Sequence, residues 1–587
     1  MLKLHHYLLA TASLALVGFA GTQPADATTC NGKTNCSLGT KAYTFGANDI
    51  FGGGSTLIGP YWRQMADCYN GYADLVIQTS NLSSPSSVDE VLFNYTGKVG
   101  KQNCATTQVA TGSTTWYINA GSGNGIGSFF SHDPVVQFGT VNTHAPNTTF
   151  PEEFYSNSDA GLSGPQTLAG TDTYIYQNGG TEHNLHIGSP AATTSCGANG
   201  AGTGTYGNPQ SCYGPLIQIP VSVDDVALAF NPVYEKIVAP GEKEIDYKFR
   251  TATIKFSKAT MCGIFEGTIT DWADSHITAD NGNKSLKSGS DPTPTASWHV
   301  PLVPVGRTDG SGTTSIVTRH LAAVCGDAIY TVGTTNLPAS IAGSAQPSGS
   351  AEYPGVDQLG KVTTATGSTG VAYYTAFTVP PNGFGNKCTS GTVLPAGYAG
   401  GDCIQQGRVG YDGADYTSPY VKVSKAVSVT LDAVELQNAH GTYEKVGPVS
   451  TLAAFVGVNP PSGAAEADPS NWVESLSATV PLANPTQTTA YPLVGTTQTF
   501  LYQCYANAGS EATLVGQLGY IYTAKINTDS KLGILAKVGL APLPSAWLTA
   551  INNAFIVGDS QHLNIQPVNS GGGGNCDNTI NTQLVGG

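Results

Sequence analysis

Apolar runs along the chain are short and fall into two periodicities. Leu75 to Gln78, Trp116 to Asn119, Val226 to Phe230, Val300 to Val305, Val371 to Tyr374 and Thr499 to Tyr502 read as strands. Gly59 to Cys68, Ser311 to Val324, Val421 to Asn438 and Pro544 to Phe555 carry helical spacing. Strands interleaved with helices predict an α/β protein rather than a β-sandwich. Between them lie long polar stretches, Val141 to Gly214, Thr278 to Ser297, Thr331 to Gly360 and Pro380 to Thr417, which read as insertions. The tail from Ser570, with Gly571 to Gly574, reads as a flexible or extended arm around Cys576. No internal repeat has a fixed period.

The N-terminus changes the compartment. An apolar run from Tyr7 to Ala20 follows Lys3 and ends in Ala25-Asp26-Ala27, the pattern of a secretory signal peptide cleaved near Ala27. The run is about 14 residues, short of the roughly 20 that span a bilayer, and no later run does better, so the mature chain is expected not to span a membrane. Its twelve cysteines all lie beyond that point. An even number in an exported chain predicts disulfides, with Cys30/Cys36, Cys196/Cys212 and Cys388/Cys403 as local guesses. No C-x-x-C pair occurs, so a structural metal is not expected.

Composition narrows the role. Of the 587 residues only 11% are charged, and the net charge is −15, against roughly 25% charged in ordinary domains. Nothing here attracts a phosphate backbone, which argues against nucleic-acid binding. Hydrolase signatures are missing too: there is no G-x-S-x-G or H-E-x-x-H, and His132-Asp133 and Asp274/His276 read as loop polar groups. Neither an enzyme nor a cofactor is expected.

Candidate chemistry lies in three turns. In the first, Val303 to Val305 delivers Gly306-Arg307-Thr308-Asp309-Gly310-Ser311-Gly312-Thr313 to the start of a helix. N–H groups there lack intrahelical partners and the helix dipole favours an anion; Arg307 offers a two-pronged donor that Asp309 can orient. The plain alternative is a turn followed by an N-cap. Gly52-Gly53-Gly54-Ser55-Thr56-Leu57 and Gly121-Ser122-Gly123-Asn124-Gly125 are also glycine turns, and the latter lacks the spacing of a dinucleotide fingerprint.

These residues resemble the phosphate-binding component of bacterial phosphate ABC transporters, in the periplasmic binding-protein superfamily. Arg307 to Thr313 is similar to that family's R-x-D-G-S-G-T, Gly54 to Leu57 to its G-A-T-F turn, Tyr117 to Ile126 to its Y-x-x-x-G-S-x-x-G-I segment, and Ser158 to Ser163 to its S-D-A-P-L-S. Gly139-Thr140 offers a second alignment for the end of the strand before Asp159. Gln218 to Asn231 resembles the crossing strand between lobes, Ile264 to Trp272 its I-F-x-G-x-I-x-x-W, Gly370 to Tyr374 its G-x-I-G-Y strand, and Gly539 to Pro544 the turn before its last helix. The likeness covers roughly residues 45–556.

It implies a two-lobed type II binding-protein fold with crossing strands: a signal peptide at 1–27, lobe one at 28–221 with an insertion at about 141–214, lobe two at 222–488, a return to lobe one at 489–556 and an arm at 557–587. It also implies inorganic phosphate in the cleft, held by Ser55, Thr56, Leu57, Ser122, Asp159, Arg307, Ser311, Gly312 and Thr313, with Asp309 orienting the arginine. Asp159 would accept a proton-borne hydrogen bond that sulfate cannot offer. An ABC-transporter permease is the implied partner and the periplasm or exterior the implied location. Low charge, the insertions and the Gly-rich tail keep a self-assembling, filament-forming protein on this fold as the alternative.

Overall fold

The computed structural model of the chain describes residues 47–59, 115–131, 153–161, 215–237, 245–307, 311–325, 407–420, 431–473, 482–523 and 533–568, with isolated positions and short strands between them. The signal-peptide segment, Cys30, Cys36, Cys196, Cys212, Cys388, His132-Asp133 and Gly139-Thr140 lie outside the described residues.

One sheet of ten strands organises the fold. In chain order these are β1 (Ile50–Gly54), β2 (Leu75–Ile77), β3 (Thr115–Asn119), β4 (Tyr155–Ser158), β5 (Leu216–Phe230), β6 (Leu302–Arg307), β7 (Thr363–Ala365), β8 (Gly407–Gly413), β9 (Asp432–Ala433) and β10 (Val494–Tyr502). Helices α1 (Ser122–Ser131), α2 (Gly312–Cys325), α3 (Pro448–Ala454), α4 (Ala508–Thr523) and α5 (Ser545–Ile551) flank it. Across the sheet the order is β7-β6-β8-β5-β10-β4-β1-β3-β2, with β9 also on β5.

The pairing separates two halves. β1, β2, β3 and β4 form a parallel set, and β6, β7 and β8 a second. Antiparallel β5 and β10 join them. β5 is the crossing strand: residues 216–225 pair with β10, and 226–230 pair with β8. All 15 of its residues are buried, and at about 3.3 Å per residue it runs roughly 50 Å, long enough to belong to both halves. This is the two-lobed α/β architecture of a type II binding protein. In parallel sheets, ligand sites form beyond the carboxyl ends of the strands, and here β1, β3, β4 and β6 all end at candidate turns.

A proline sits inside β5. Pro220 has no N–H for the ladder, and the register with β10 slips between Thr497 and Gln498, opposite it. A bulge is how a central strand accommodates such a residue. Its carbonyl accepts from the Tyr522 hydroxyl at 2.9 Å. The slip falls at Thr497.

Aromatic packing supports the first turn from beneath. Trp62 is buried and stacks on Tyr117 with centroids 5.8 Å apart, and lies 5.1 Å from the Tyr155 ring. The Tyr117 hydroxyl donates to the Ser55 carbonyl at 2.7 Å, and the Tyr155 hydroxyl to the Trp116 carbonyl at 2.7 Å. Each such ring contributes about 1.5–3 kcal/mol of burial while its hydroxyl satisfies a buried carbonyl.

Several expectations are corrected. Over its described part Val371 to Tyr374 is not a strand: Val371 and Ala372, and Thr375 beyond them, are helical. They pack over Gly410, where an added Cβ would lie 2.2 Å from Thr375 Oγ1 and 2.7 Å from Val371 Cγ1. The strand between β6 and β5 is instead β8, whose Gly407-Arg408-Val409-Gly410-Tyr411 has the same glycine and tyrosine spacing. Hence the end of the stretch read as an insertion, Pro380 to Thr417, is core. So is β4, inside Val141 to Gly214. Nor is Val421 to Asn438 a helix over its described part: β9 and Glu435–Gln437 are strands there. The sequence Leu431-Asp432-Ala433-Val434-Glu435-Leu436 places apolar residues at spacings that suit either period, and pairing with β5 and Lys255–Phe256 decides for strand. The tail is pinned at Cys576, which is buried and bonded to Cys504. Cys262 pairs with Cys325, a separation of 63 residues that sequence proximity could not suggest.

Candidate functional site

The first side of the site is built where β1, β3 and β4 end. Gly54 closes β1 at φ 121°, a left-handed backbone that glycine adopts without a Cβ penalty. A Cβ there would also lie 2.1 Å from the Asn157 carbonyl oxygen. The turn is then locked across strands: Ser55 N donates to Asn157 O at 2.9 Å, and Gly121 N to Gly54 O at 2.7 Å. Leu57 N donates to Ser55 Oγ at 3.1 Å. Ser55, Thr56 and Leu57 are all buried. Ser122 starts α1, directly after Gly121.

The second side is the start of α2. β6 ends at Arg307 and α2 begins at Gly312, with Thr308, Asp309 and Gly310 outside the described residues. Ser311 is the N-cap: its hydroxyl accepts from Thr314 N at 3.2 Å and its carbonyl from Ser315 N at 3.1 Å. Both the turn-and-cap reading and the anion-turn reading of this segment therefore describe one structure, since a capped helix start still presents N–H groups at its tip.

Asp159, just past β4, is where the two sides meet. It is buried, at 2% exposure, so it is not an aspartate on a solvated loop. Ser55 Oγ and Thr497 Oγ1 donate to its Oδ1, the latter at 2.7 Å. Ser122 Oγ and Thr313 Oγ1 donate to its Oδ2 at 3.2 and 3.3 Å. Its own N donates to Ser122 Oγ at 3.3 Å. Ser55 and Ser122 come from one half of the fold, Thr497 from the joining strand β10 and Thr313 from the other half. A Cβ on Gly312 would lie 2.6 Å from Ala160 N, Asp159 C and Asp159 Cβ, so only glycine lets the tip of α2 approach the end of β4 this closely.

Behind Asp159 the crossing strands add groups that sequence reasoning missed. Thr497 Oγ1 also lies 2.5 Å from Asp224 Oδ2, and Ser222 Oγ donates to Asp224 Oδ1. Asp225, on the other face of β5, accepts from Thr451 Oγ1 at 2.6 Å. Burial pushes the Asp224 carboxyl well above the usual carboxylate range, and the nearby Asp159 adds to the rise. Desolvation likewise raises Asp225 to about 7, and raises Asp415 with help from Asp412. The available signal was Ser222-Val223-Asp224-Asp225, polar residues inside an otherwise apolar strand, facing Thr496 to Thr499.

Asp274 and His276, the described part of the loose hydrolase neighbourhoods, form a helix cap: Asp274 accepts from His276 N at 2.8 Å. Among the described residues no group of His, Cys, Asp and Glu is arranged to hold a metal ion, and no helix is long and apolar enough to cross a membrane.

Residues 191–519 match the PBP superfamily domain. The chain is 25% identical over 453 residues to alkaline phosphatase L of Pseudomonas aeruginosa, covering 76% of this chain and 84% of that protein. It is 26% identical over 350 residues to a phosphate-binding protein from an unknown prokaryotic organism, covering 59% of this chain and 73% of that one. Among solved structures, a high-affinity periplasmic phosphate-binding protein with bound phosphate aligns over 92% of this chain and 100% of its own, with a TM-score of 0.50 and 21% identity. An ancestral soluble variant of the human phosphate binding protein aligns over 88% and 96%, also with a TM-score of 0.50 and 21% identity. At that identity the two structures share the fold.

Proposed function

This chain belongs to the PBP superfamily, and we propose that it binds inorganic phosphate between its two lobes as an exported substrate-binding protein. One observation carries this reading: strand-to-helix turns from both halves of the sheet converge on a single buried carboxylate, Asp159, through the hydroxyls of Ser55, Ser122 and Thr313. The relative named as a phosphate-binding protein points the same way.

The chemistry follows from the donor set. Neutral N–H groups and hydroxyls at helix starts, with Arg307, stabilise a dianion without a basic surface, so a net charge of −15 is no obstacle. Asp159 is then the discriminating group. It accepts the hydrogen that phosphate carries and meets sulfate, which carries none, as like charge. Gly312 lets the lobes close until both sides reach the same anion. Export through the N-terminal segment and delivery to an ABC-transporter permease complete the proposal; nothing in the likenesses favours the filament alternative.

Isothermal titration near neutral pH tests it. Phosphate binds with a dissociation constant of about 1 μM or tighter, on the order of −8 kcal/mol; Arg307→Ala weakens it and sulfate gives no heat. Absence of heat with phosphate defeats the reading. A second reading, hydrolysis of phosphate monoesters, is favoured by the name of the Pseudomonas aeruginosa relative. A chromogenic phosphomonoesterase assay on the purified protein decides: turnover lost in Asp159→Ala supports hydrolysis, and no turnover leaves the binding role.

A further inference from the structure

Thr497 owns one hydroxyl hydrogen and is asked for two. Its Oγ1 lies 2.7 Å from Asp159 Oδ1 and 2.5 Å from Asp224 Oδ2. If both aspartates were ionised, one of these contacts would be oxygen against oxygen with no hydrogen between them. A proton on Asp224 resolves this: Asp224 donates to Thr497, and Thr497 donates to Asp159. The position of Thr497 is set by the register slip opposite Pro220, so the bridge is built into the crossing strands.

Resting on the phosphate-site reading, we propose that Asp224 is a positioning residue of the site: it holds the proton that directs the Thr497 hydroxyl to Asp159, and so keeps Asp159 the single charged acceptor facing the ligand. Asp224 itself touches no ligand. It is fully buried on β5, with Ser222 Oγ donating to its other oxygen. Among the described residues, the charged and titratable groups on the elements packed around it are Asp159 after β4, Asp225 beside it on β5, Asp415 after β8, and Arg319 of α2. Arg319 Nη2 lies 3.4 Å from the place of a Cβ on Gly495, the partner of Asp224 in the ladder. Three carboxyl groups against one guanidinium favour a neutral Asp224, in line with the upward push that burial gives it.

The consequence is that binding weakens as pH rises through the ionisation of Asp224. When Asp224 loses its proton, Thr497 is left with two anions and one hydrogen, and a second negative charge stands behind the phosphate. Asparagine mimics the protonated acid, since its amide donates to Thr497 and carries no charge.

Phosphate titrations through the alkaline range, where the ligand stays a dianion, test this on the full-length mature protein. Wild-type affinity falls by at least about tenfold as Asp224 ionises, whereas Asp224→Asn shows no such fall. Thr497→Val weakens binding by about ten- to a hundredfold, and Thr497→Ser, which keeps the hydroxyl, restores it. An infrared carboxylic-acid band present in the ligand-free wild type at neutral pH is absent from Asp224→Asn. Identical alkaline profiles in wild type and Asp224→Asn, or an unchanged infrared band, overturn the proposal while leaving the site reading standing. Failure of the wild type to bind phosphate at all removes the site reading and this role with it, and is seen before any variant is made.

Discussion

The two sides of the site present similar donors and are built in opposite ways. On the side of β1, β3 and β4, Ser55, Ser122 and Asp159 are drawn from three separate stretches of sequence and held by a parallel ladder, with Tyr117 and Trp62 packed beneath. On the other side, Ser311, Gly312 and Thr313 are consecutive, and one helix cap arranges them. Damage to the first side is therefore damage to the fold. Damage to the second is damage to closure.

Gly54→Ala is the most severe test of that contrast. Positive φ and a Cβ against the Asn157 oxygen cost together on the order of 4 kcal/mol; thermal unfolding monitored by circular dichroism shifts down steeply and phosphate binding is lost with it. Gly312→Ala should behave differently. Its Cβ meets Asp159 and Ala160 only across the cleft, at about 1–3 kcal/mol, so calorimetric phosphate affinity drops about ten- to a hundredfold while the melting temperature holds. A melting temperature lowered as far as in Gly54→Ala would erase the distinction.

Smaller effects sharpen it. Ser311→Ala removes the cap of α2 and costs about 1 kcal/mol of stability, read by chemical denaturation, with a modest loss of affinity. The crossing strand gives a pH signature: the Asp225 carboxyl is raised from 3.8 to about 7 in the fold. A carboxyl raised on folding contributes stability that is complete below the unfolded value and lost as pH rises through the folded one. Denaturation midpoints of wild type relative to Asp225→Asn therefore fall between about pH 4 and pH 7, by on the order of 1–4 kcal/mol. A flat difference contradicts a neutral buried Asp225.

This contrast also explains what could be read from the chain. The cap side was legible because Arg307 to Thr313 compresses strand end, turn and helix start into a few residues. Ser55, Ser122 and Asp159 were reached through local motifs, but that four hydroxyls share Asp159 depends on strand order. Thr497 lies 338 residues from its partner, and the slip that aims it is a consequence of Pro220 on another strand. The misassigned segments fail for related reasons. Val371 to Tyr374 is β-branched and aromatic, yet its described residues, Val371 and Ala372, are helical and packed over Gly410, and Leu431 to Leu436 fits two periods until β5 selects one. Disulfides at separations of 63 and 72 residues are tertiary facts with no local trace.

A crystal structure of the protein grown with phosphate shows whether the anion sits against Asp159. A tetrahedral anion is expected between the Ser55–Leu57 turn, Ser122 and the Ser311–Thr313 helix start, with one oxygen in hydrogen-bond contact with Asp159. An anion seated elsewhere, or one held on this site without contact to Asp159, would contradict it.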